Sequence, residues 1–257
     1  MGAYGTEGLR CRGRGGVGLN TLVDGLLPSP SVALGATLVA VAVGSAGATL
    51  ATLVRRRGVR VAYTRKIFHI VIFTAAAGVH TLWALPGTLV FGVVIAGMVL
   101  AAVAAGDGHP FYEALARETD EPHRTLFILL PLITTAIGGL VSAVVAGPYA
   151  SVGYLAAGWG DAAGEPVGAR WGRHRYRVPS LAGVAATRSL EGSAAVFVVA
   201  SAASMLALGA LGAGDATWWA GLACGGAAAA VEAVSHHGLD NLTVQVVASL
   251  VASWLLA

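Results

Sequence analysis

Long apolar segments alternate with short polar ones along almost the whole chain. Crossing a bilayer as a helix takes about 17 to 25 mostly apolar residues, and eight segments approach or reach this length. They lie at 31–54, 67–85, 87–106, 125–146, 148–169, 190–212, 217–235 and 241–257. Because their apolar residues are continuous and do not alternate with polar ones, they predict helices and not the strands of a β-barrel. We therefore expect an all-α fold, a polytopic bundle of about eight transmembrane helices.

Little of the chain lies outside these segments. Residues 1–30 form a Gly-rich, Arg-containing tail that we expect to be disordered, and residues 31–257 form a single transmembrane helical domain. Only 11% of the 257 residues are charged, whereas a soluble domain carries about a quarter charged residues. This composition excludes a soluble globule. Two cysteines are too few for a disulfide scaffold, and a net charge of +3 is too small for a nucleic-acid-binding protein.

Most of the basic residues lie in three polar connections, at 55–66, 107–124 and 170–189. Positively charged loops stay on the cytoplasmic side of a membrane. The three connections are therefore expected in the cytoplasm, and an even number of spans places both termini outside. Most carboxylates also lie in or beside these connections, so any chemistry is expected at the cytoplasmic face.

One predicted span contains acidic residues, and unpaired carboxylates are energetically costly inside a lipid bilayer. In GWGDAAGEPVGARWG, Asp161 and Glu165 are four residues apart and so share one helix face. Glycines and a proline allow the backbone to open there, so that a ligand can approach it. Two carboxylates inside a span need a cation between them, and Mg²⁺ is suitable because it binds one or two carboxylates together with substrate phosphates. A salt bridge to Arg170 or Arg173 is the structural alternative.

A second group of charges follows directly, in RHRYRVPSLAGVAATRSLEGS at 173–193. The arginines offer planar guanidinium groups that match phosphate oxygens. Ser189 is placed to cap the helix that begins there, and the unpaired N–H groups of a helix N-terminus also favour phosphate. A basic loop that binds lipid headgroups is the alternative.

Three further polar clusters border the spans. The motif RKIFH places Lys66 and His69 on one helix face, with snorkelling cations at a helix end as the alternative. The connection 106–124 predicts a solvated, amphipathic linker with a short helix, which requires no function. In VEAVSHHGLDN, Glu232 lies deeper in its span than capping requires, while Asp240 or the asparagine after it is placed to cap the last helix.

Taken in order, the motifs RK-x-x-H, GDAAG-E-x-x-G-x-x-x-G, RSLEGS and E-x-x-S-x-x-x-x-DN resemble those of the membrane polyprenol kinase family. This family includes dolichol kinase, phytol kinase and the CTP-dependent diacylglycerol kinase of yeast. The resemblance covers about residues 62–257, and GDAAGEPVG followed by RSLEGS is its most specific part. It implies transfer of the γ-phosphate of CTP to the hydroxyl of a polyprenol, phytol-like or related alcohol at the cytoplasmic face, with a divalent metal.

The resemblance and the polar clusters together define a predicted site. The predicted catalytic residues are Asp161, Glu165, Arg188 and Glu191. The predicted ligands of Mg²⁺ are Asp161, Glu165 and Asp240. The predicted nucleotide- and phosphate-binding residues are Lys66, His69, Gly160, Gly164, Gly168, Arg173, Arg175, Ser189, Gly192 and Asn241. Asp161 or Glu165 is expected to accept the proton of the alcohol.

Other functions remain open on sequence alone. A CDP-lipid synthase also binds CTP and Mg²⁺ at a membrane face, and a prenyl-phosphate kinase would share the same motifs. A transporter would carry intramembrane acids and a broken helix, but it should contain two related halves, and neither GDAAGEPVG nor RSLEGS has a second copy. We expect the substrates to be a lipid alcohol and a nucleoside triphosphate. We also expect contact with membrane lipids and no nucleic-acid partner, and the sequence leaves open whether the protein forms a homo-oligomer.

Overall fold

The computed structural model describes residues 26–179, 186–236 and 238–257. The elements within these ranges are α1 Pro30–Arg56, α2 Val61–Ala105, α3 Pro110–Leu115, α4 Leu126–Ala146, α5 Ala150–Trp171, β1 Arg175–Val178, β2 Ala186–Ser189, α6 Leu190–Ala210, α7 Ala216–Val234 and α8 Asp240–Leu256. Short 3₁₀ turns lie at Glu118–Asp120 and Gly147–Tyr149. The predicted tail at 1–30 lies, as far as residue 25, outside the described residues.

The all-α prediction is confirmed, because each of the eight apolar segments is helical. Four helical stretches of the described chain are long and apolar enough to cross a membrane: Pro30–Arg56, Val61–Ala105, Leu126–Trp171 and Leu190–Ala210. The second of these is interrupted at Ala84, where φ is +50° just before Pro86. The third contains the turn Gly147–Tyr149. A total of eight crossings stays a prediction.

Two local features are visible only in the structure. Helix α5 does not open at its glycines, since it continues as an α-helix through Pro166 to Trp171. Its packing against α2, α6 and α8 holds it helical although the proline removes one backbone hydrogen bond. The connection after α5 also contains an antiparallel hairpin, in which Tyr176 of β1 lies opposite Arg188 of β2.

Small residues fill the interior of the bundle, and large apolar residues cover its outside. The fully buried residues include Ala36, Ala40, Ala156, Ala200 and Ala248, whereas the exposed ones include Leu82, Val93, Val198, Trp218 and Trp254. This distribution suits a lipid surrounding, in which helices associate through close backbone approach and not through burial of large apolar side chains.

Helices α5 and α6 approach each other closely near the predicted site. A Cβ atom on Gly192 would lie 2.9 Å from the carbonyl oxygen of Gly164, and one on Gly160 would lie 3.2 Å from the Cβ of Ala200. The glycines of the GDAAGEPVG and RSLEGS motifs therefore allow the two helices to meet. This contact places the start of α6 beside the acidic face of α5.

We predict that Gly192→Ala lowers the free energy of unfolding by about 1–3 kcal/mol, because the added methyl group meets backbone that cannot move aside. The matched control is Gly209→Ala on the same helix, where a Cβ meets nothing within 4 Å. The melting temperature of that variant should equal that of the parent or be slightly higher. Thermal unfolding in detergent micelles measures both. Equal stabilities of the two variants would contradict the close approach of α5 and α6.

Candidate active site

A polar cavity of about 320 Å³ lies between the ends of the helices and the hairpin. Helices α2, α5, α6, α7 and α8, the connection after α3 and both strands contribute to it. Its basic lining residues are Arg65, Lys66, Arg117, Arg175 and Arg188, and its acidic ones are Asp120, Asp161, Glu165, Glu232 and Asp240. Among the described residues, five formal positive charges thus face five formal negative charges.

Lys66 is the cation that joins the two carboxylates of α5. Its Nζ atom lies 2.7 Å from Oδ2 of Asp161 and 3.1 Å from Oε2 of Glu165. His69, one turn further along α2, places Nε2 3.4 Å from the same Asp161 oxygen. The cation between the carboxylates is therefore the ammonium group of Lys66 on α2, which was neither the expected Mg²⁺ nor an arginine of the alternative, and the Mg²⁺ site stays a prediction. The alternative salt bridge to Arg170 is not formed, since that guanidinium stacks on Trp171.

Arg117 brings the connection between α3 and α4 to the cavity. Its Nη1 lies 2.9 Å from Oε1 of Glu165, and its Nε lies 2.9 Å from Oδ2 of Asp120. Burial lowers the pKa of Arg117, but the carboxylates of Glu165 and Asp120 outweigh this effect and raise it above the ordinary value. Arg117 therefore remains a cation.

Arg188 joins three elements on the other side of the cavity. Standing on β2, it places Nε 3.0 Å from Oε1 of Glu232 on α7 and Nη2 2.9 Å from Oδ2 of Asp240 on α8. All three side chains are between 11% and 13% exposed. A planar guanidinium is suited to this arrangement, because its nitrogens point in fixed directions towards two carboxylates.

Several buried polar atoms near Arg188 have no hydrogen-bond partner among the residues that the structure describes. They are Nη1 of Arg188, Oε2 of Glu232 and Oδ1 of Asn241. Buried polar groups in proteins are nearly always paired, so one donor and two acceptors remain available to a ligand that enters this part of the cavity.

The structure brings most of the predicted site residues to one cavity. Those that line it are Lys66, Asp161, Gly164, Glu165, Gly168, Arg175, Arg188, Ser189, Gly192, Asp240 and Asn241. Ser189 also caps α6 as expected, since its Oγ accepts a 3.1 Å hydrogen bond from the Gly192 N–H. Motifs that lie far apart in sequence therefore meet at one cavity.

Four predicted residues do not line the cavity: His69, Gly160, Arg173 and Glu191. His69 adjoins it through Asp161, and Gly160 packs against α6. Arg173 is exposed. Glu191 accepts a 2.8 Å hydrogen bond from Nδ1 of His174, because it stands on the first turn of α6 beside the start of the hairpin. Catalysis by Glu191 stays a prediction without support from its position.

Sequence reasoning missed four charged residues that line the cavity: Arg65, Arg117, Asp120 and Glu232. Glu232 had a signal, since it lies too deep in α7 for a cap and begins the motif E-x-x-S-x-x-x-x-DN. Arg65 adjoins a predicted residue. Arg117 and Asp120 had no signal, because nothing in an amphipathic connection indicates which of its charges turn inwards.

The side-chain oxygens that line the cavity are of the kind that binds a divalent cation. Among the described residues, no group of three or more His, Cys, Asp or Glu side chains is gathered as a ready metal site. Mg²⁺, however, uses few protein ligands and retains waters and phosphate oxygens. Asp161, Glu165 and Asp240 all line the cavity, and the unpartnered oxygens of Glu232 and Asn241 add two hard acceptors.

The comparison with known proteins identifies the family. The chain is 30% identical to the phytol kinase of Synechocystis sp. over 194 residues, which are 74% of this chain and 77% of that protein. This chain belongs to the polyprenol and phytol kinase family. No family model matches it, and no solved structure matches it. The cavity described above is thus the candidate active site of a membrane protein of this kinase family.

In this family member we predict that Arg188→Met lowers the free energy of unfolding by about 3–5 kcal/mol, because it leaves two buried carboxylates without their cation. Arg188→Lys should lower the free energy of unfolding less, since lysine keeps the positive charge although it lacks the planar guanidinium group. The control is Arg177→Met on the same hairpin, where the side chain is exposed and the change should be within about 0.5 kcal/mol. Chemical unfolding in micelles measures all three, and equal effects of the two methionine variants would refute the buried pairing.

Proposed function

We propose that the protein is a lipid-alcohol kinase that transfers the γ-phosphate of a nucleoside triphosphate, with CTP as the expected donor, to the hydroxyl of an isoprenoid alcohol. The observation that carries this proposal is the convergence of Asp161, Glu165, Arg188 and Asp240 with Lys66 in one cavity. The likeness to a phytol kinase supports an alcohol as the acceptor.

The charge balance of the cavity favours a metal–phosphate complex over a free anion. Among the described residues, its five basic side chains are matched by five acidic ones, so a bare triphosphate would meet no net positive charge from this part of the chain. A divalent cation held by one or two of the carboxylates of Asp161, Glu165 and Asp240 would supply that charge to the terminal phosphates. Lys66 and Arg188, which now pair with these carboxylates, are then placed to contact phosphate oxygens.

The chain's part in the reaction is mainly to position and to neutralise. The alcohol oxygen forms a bond to the γ-phosphorus as the bond from that phosphorus to the β–γ bridging oxygen breaks, and the nucleoside diphosphate leaves with the electron pair. Lys66 and Arg188 stabilise the charge on the transferring group. The alcohol proton passes to a cavity carboxylate, for which Asp161 and Glu165 are the proposed acceptors.

We also propose that this end of the bundle faces the cytoplasm, that the bundle crosses the membrane eight times, and that the alcohol reaches the cavity from the bilayer. The positive-inside rule supports the orientation, since Arg55, Arg117 and Arg188 belong to the three basic connections. The exposed apolar side chains of the bundle support a lipid surrounding for the tail of the alcohol.

The proposal is tested by incubating purified protein and Mg²⁺ with CTP, ATP, UTP or GTP and with farnesol, geranylgeraniol, phytol, longer polyprenols or diacylglycerol. A kinase releases the nucleoside diphosphate and forms a lipid phosphate. Pyrophosphate with a CDP-lipid would instead indicate a CDP-lipid synthase, and turnover only with prenyl phosphates would indicate a prenyl-phosphate kinase. Absence of any transfer across the panel would refute the proposal.

We predict that Asp161→Asn lowers kcat by about 10²- to 10³-fold, because a carboxylate that holds charge at the reacting phosphate is lost. Lys66 keeps Glu165 as a partner, so the variant should fold. The matched control is Asp107→Asn, whose side chain is 80% exposed and whose activity should equal that of the parent. Full activity of a folded Asp161→Asn variant would remove Asp161 from the proposed metal site.

A further inference from the structure

The connection between α2 and α4 is packed against the bundle, and the expectation of a solvated linker was wrong. Phe111 and Tyr112 are buried, and Ala114 and Ala116 are completely so. The hydroxyl of Thr64 on α2 donates a buried 2.8 Å hydrogen bond to the Ala114 carbonyl oxygen. A buried backbone with satisfied hydrogen bonds is held in place, so the residue that follows Ala116 has a defined position at the cavity.

That residue is Arg117, whose side chain is 13% exposed. Its guanidinium is held on one edge by Asp120, whose side chain is 4% exposed, and it contacts Glu165 through Nη1. Burying a carboxylate in a short loop carries a desolvation cost that its ion pair offsets only in part. Net stability is therefore a poor explanation for Asp120, and a role in orienting Arg117 is a better one.

Arg117 also adds to a cluster of cations. Together with Arg65 and Lys66 it lines the side of the cavity formed by α2 and the connection. Arginine presents several N–H donors in a planar fork that matches phosphate oxygens. Because it already contacts Glu165, a proposed metal ligand, this guanidinium lies beside the proposed metal site.

We propose that Arg117 binds a phosphate group of the nucleotide and that Asp120 positions the guanidinium for this contact. The inference rests on the proposed kinase function and extends it to a part of the chain that none of the motifs includes. Arg117 would touch the substrate, whereas Asp120 would act only through Arg117.

The test compares KM for the nucleotide, at saturating alcohol, with KM for the alcohol at saturating nucleotide. Arg117→Ala should raise the nucleotide KM roughly 10- to 100-fold, as expected for loss of a hydrogen bond between charged groups, with the alcohol KM unchanged. Asp120→Ala should raise the nucleotide KM less. Asp120→Asn should fall between Asp120→Ala and the parent, because its side-chain oxygen still accepts from Nε.

The decisive measurement is the double variant. If Asp120 acts through Arg117, Arg117→Ala/Asp120→Ala should have the nucleotide KM of Arg117→Ala alone. The matched control is Glu118→Ala in the same turn, where the carboxylate is 71% exposed and pairs with Arg55; its nucleotide KM should equal that of the parent. If Asp120→Ala fails to fold, Asp120→Asn with and without Arg117→Ala gives the same comparison.

Two kinds of result overturn the inference. The first is an active parent protein in which Arg117→Ala leaves the nucleotide KM unchanged, or in which the increases in nucleotide KM of the two single variants multiply in the double variant. Either outcome refutes the roles of Arg117 and Asp120 and leaves the kinase proposal intact. A parent inactive with every donor and alcohol refutes the kinase proposal and this inference with it.

Discussion

The structure depends on the neutralisation of charge inside an apolar bundle. Asp161 and Glu165 stand on a helix that is packed mainly against α2, α6 and α8, where an unpaired carboxylate would be very costly. Lys66 supplies the cation from a residue 95 positions away in sequence, and Arg117 supplies a second one to Glu165. Each pair constrains how α2, α5 and the connection after α3 are placed. The small residues of the bundle then permit the close packing that keeps these pairs together.

Pairs of this kind are not the most stabilising way to fill a membrane protein. Burying an ion pair costs desolvation, and apolar residues of similar volume are often as stable or more so. Charged residues retained in a chain with only 11% charge therefore point to chemistry, because a ligand can compete for partners that are not held by stability alone. The unpartnered atoms of Arg188, Glu232 and Asn241 extend this argument, since they leave specific donors and acceptors for that ligand.

The sequence predicted the helices well because continuous apolar runs have a single solution in lipid, a helix with its own backbone paired. It also predicted much of the cavity, because acids at i and i+4 within a span need a cation nearby. It did not predict the hairpin, because each strand has only four residues and the alternation in Arg175–Val178 is too short to distinguish a strand from a basic loop. Nor did it establish the continuity of α5 through Pro166, which depends on packing. Arg117 and Asp120 were not predicted for the same reason. Tertiary contacts, such as the hydrogen bond between Thr64 and Ala114, decide which charged residues of the connection face the cavity.

The position of the acids along α5 bears on how two very different substrates could meet. Asp161 lies ten residues before the end of α5 at Trp171, about 15 Å along the helix axis, whereas Arg175 and Arg188 lie on the hairpin beyond that end. The cavity therefore extends from the hairpin down to a level flanked by apolar helix surface. In the proposed reaction, the nucleotide would enter from the polar end, and the hydroxyl would meet it without drawing the long tail of the alcohol into water, which costs about 0.8 kcal/mol per exposed CH₂ group.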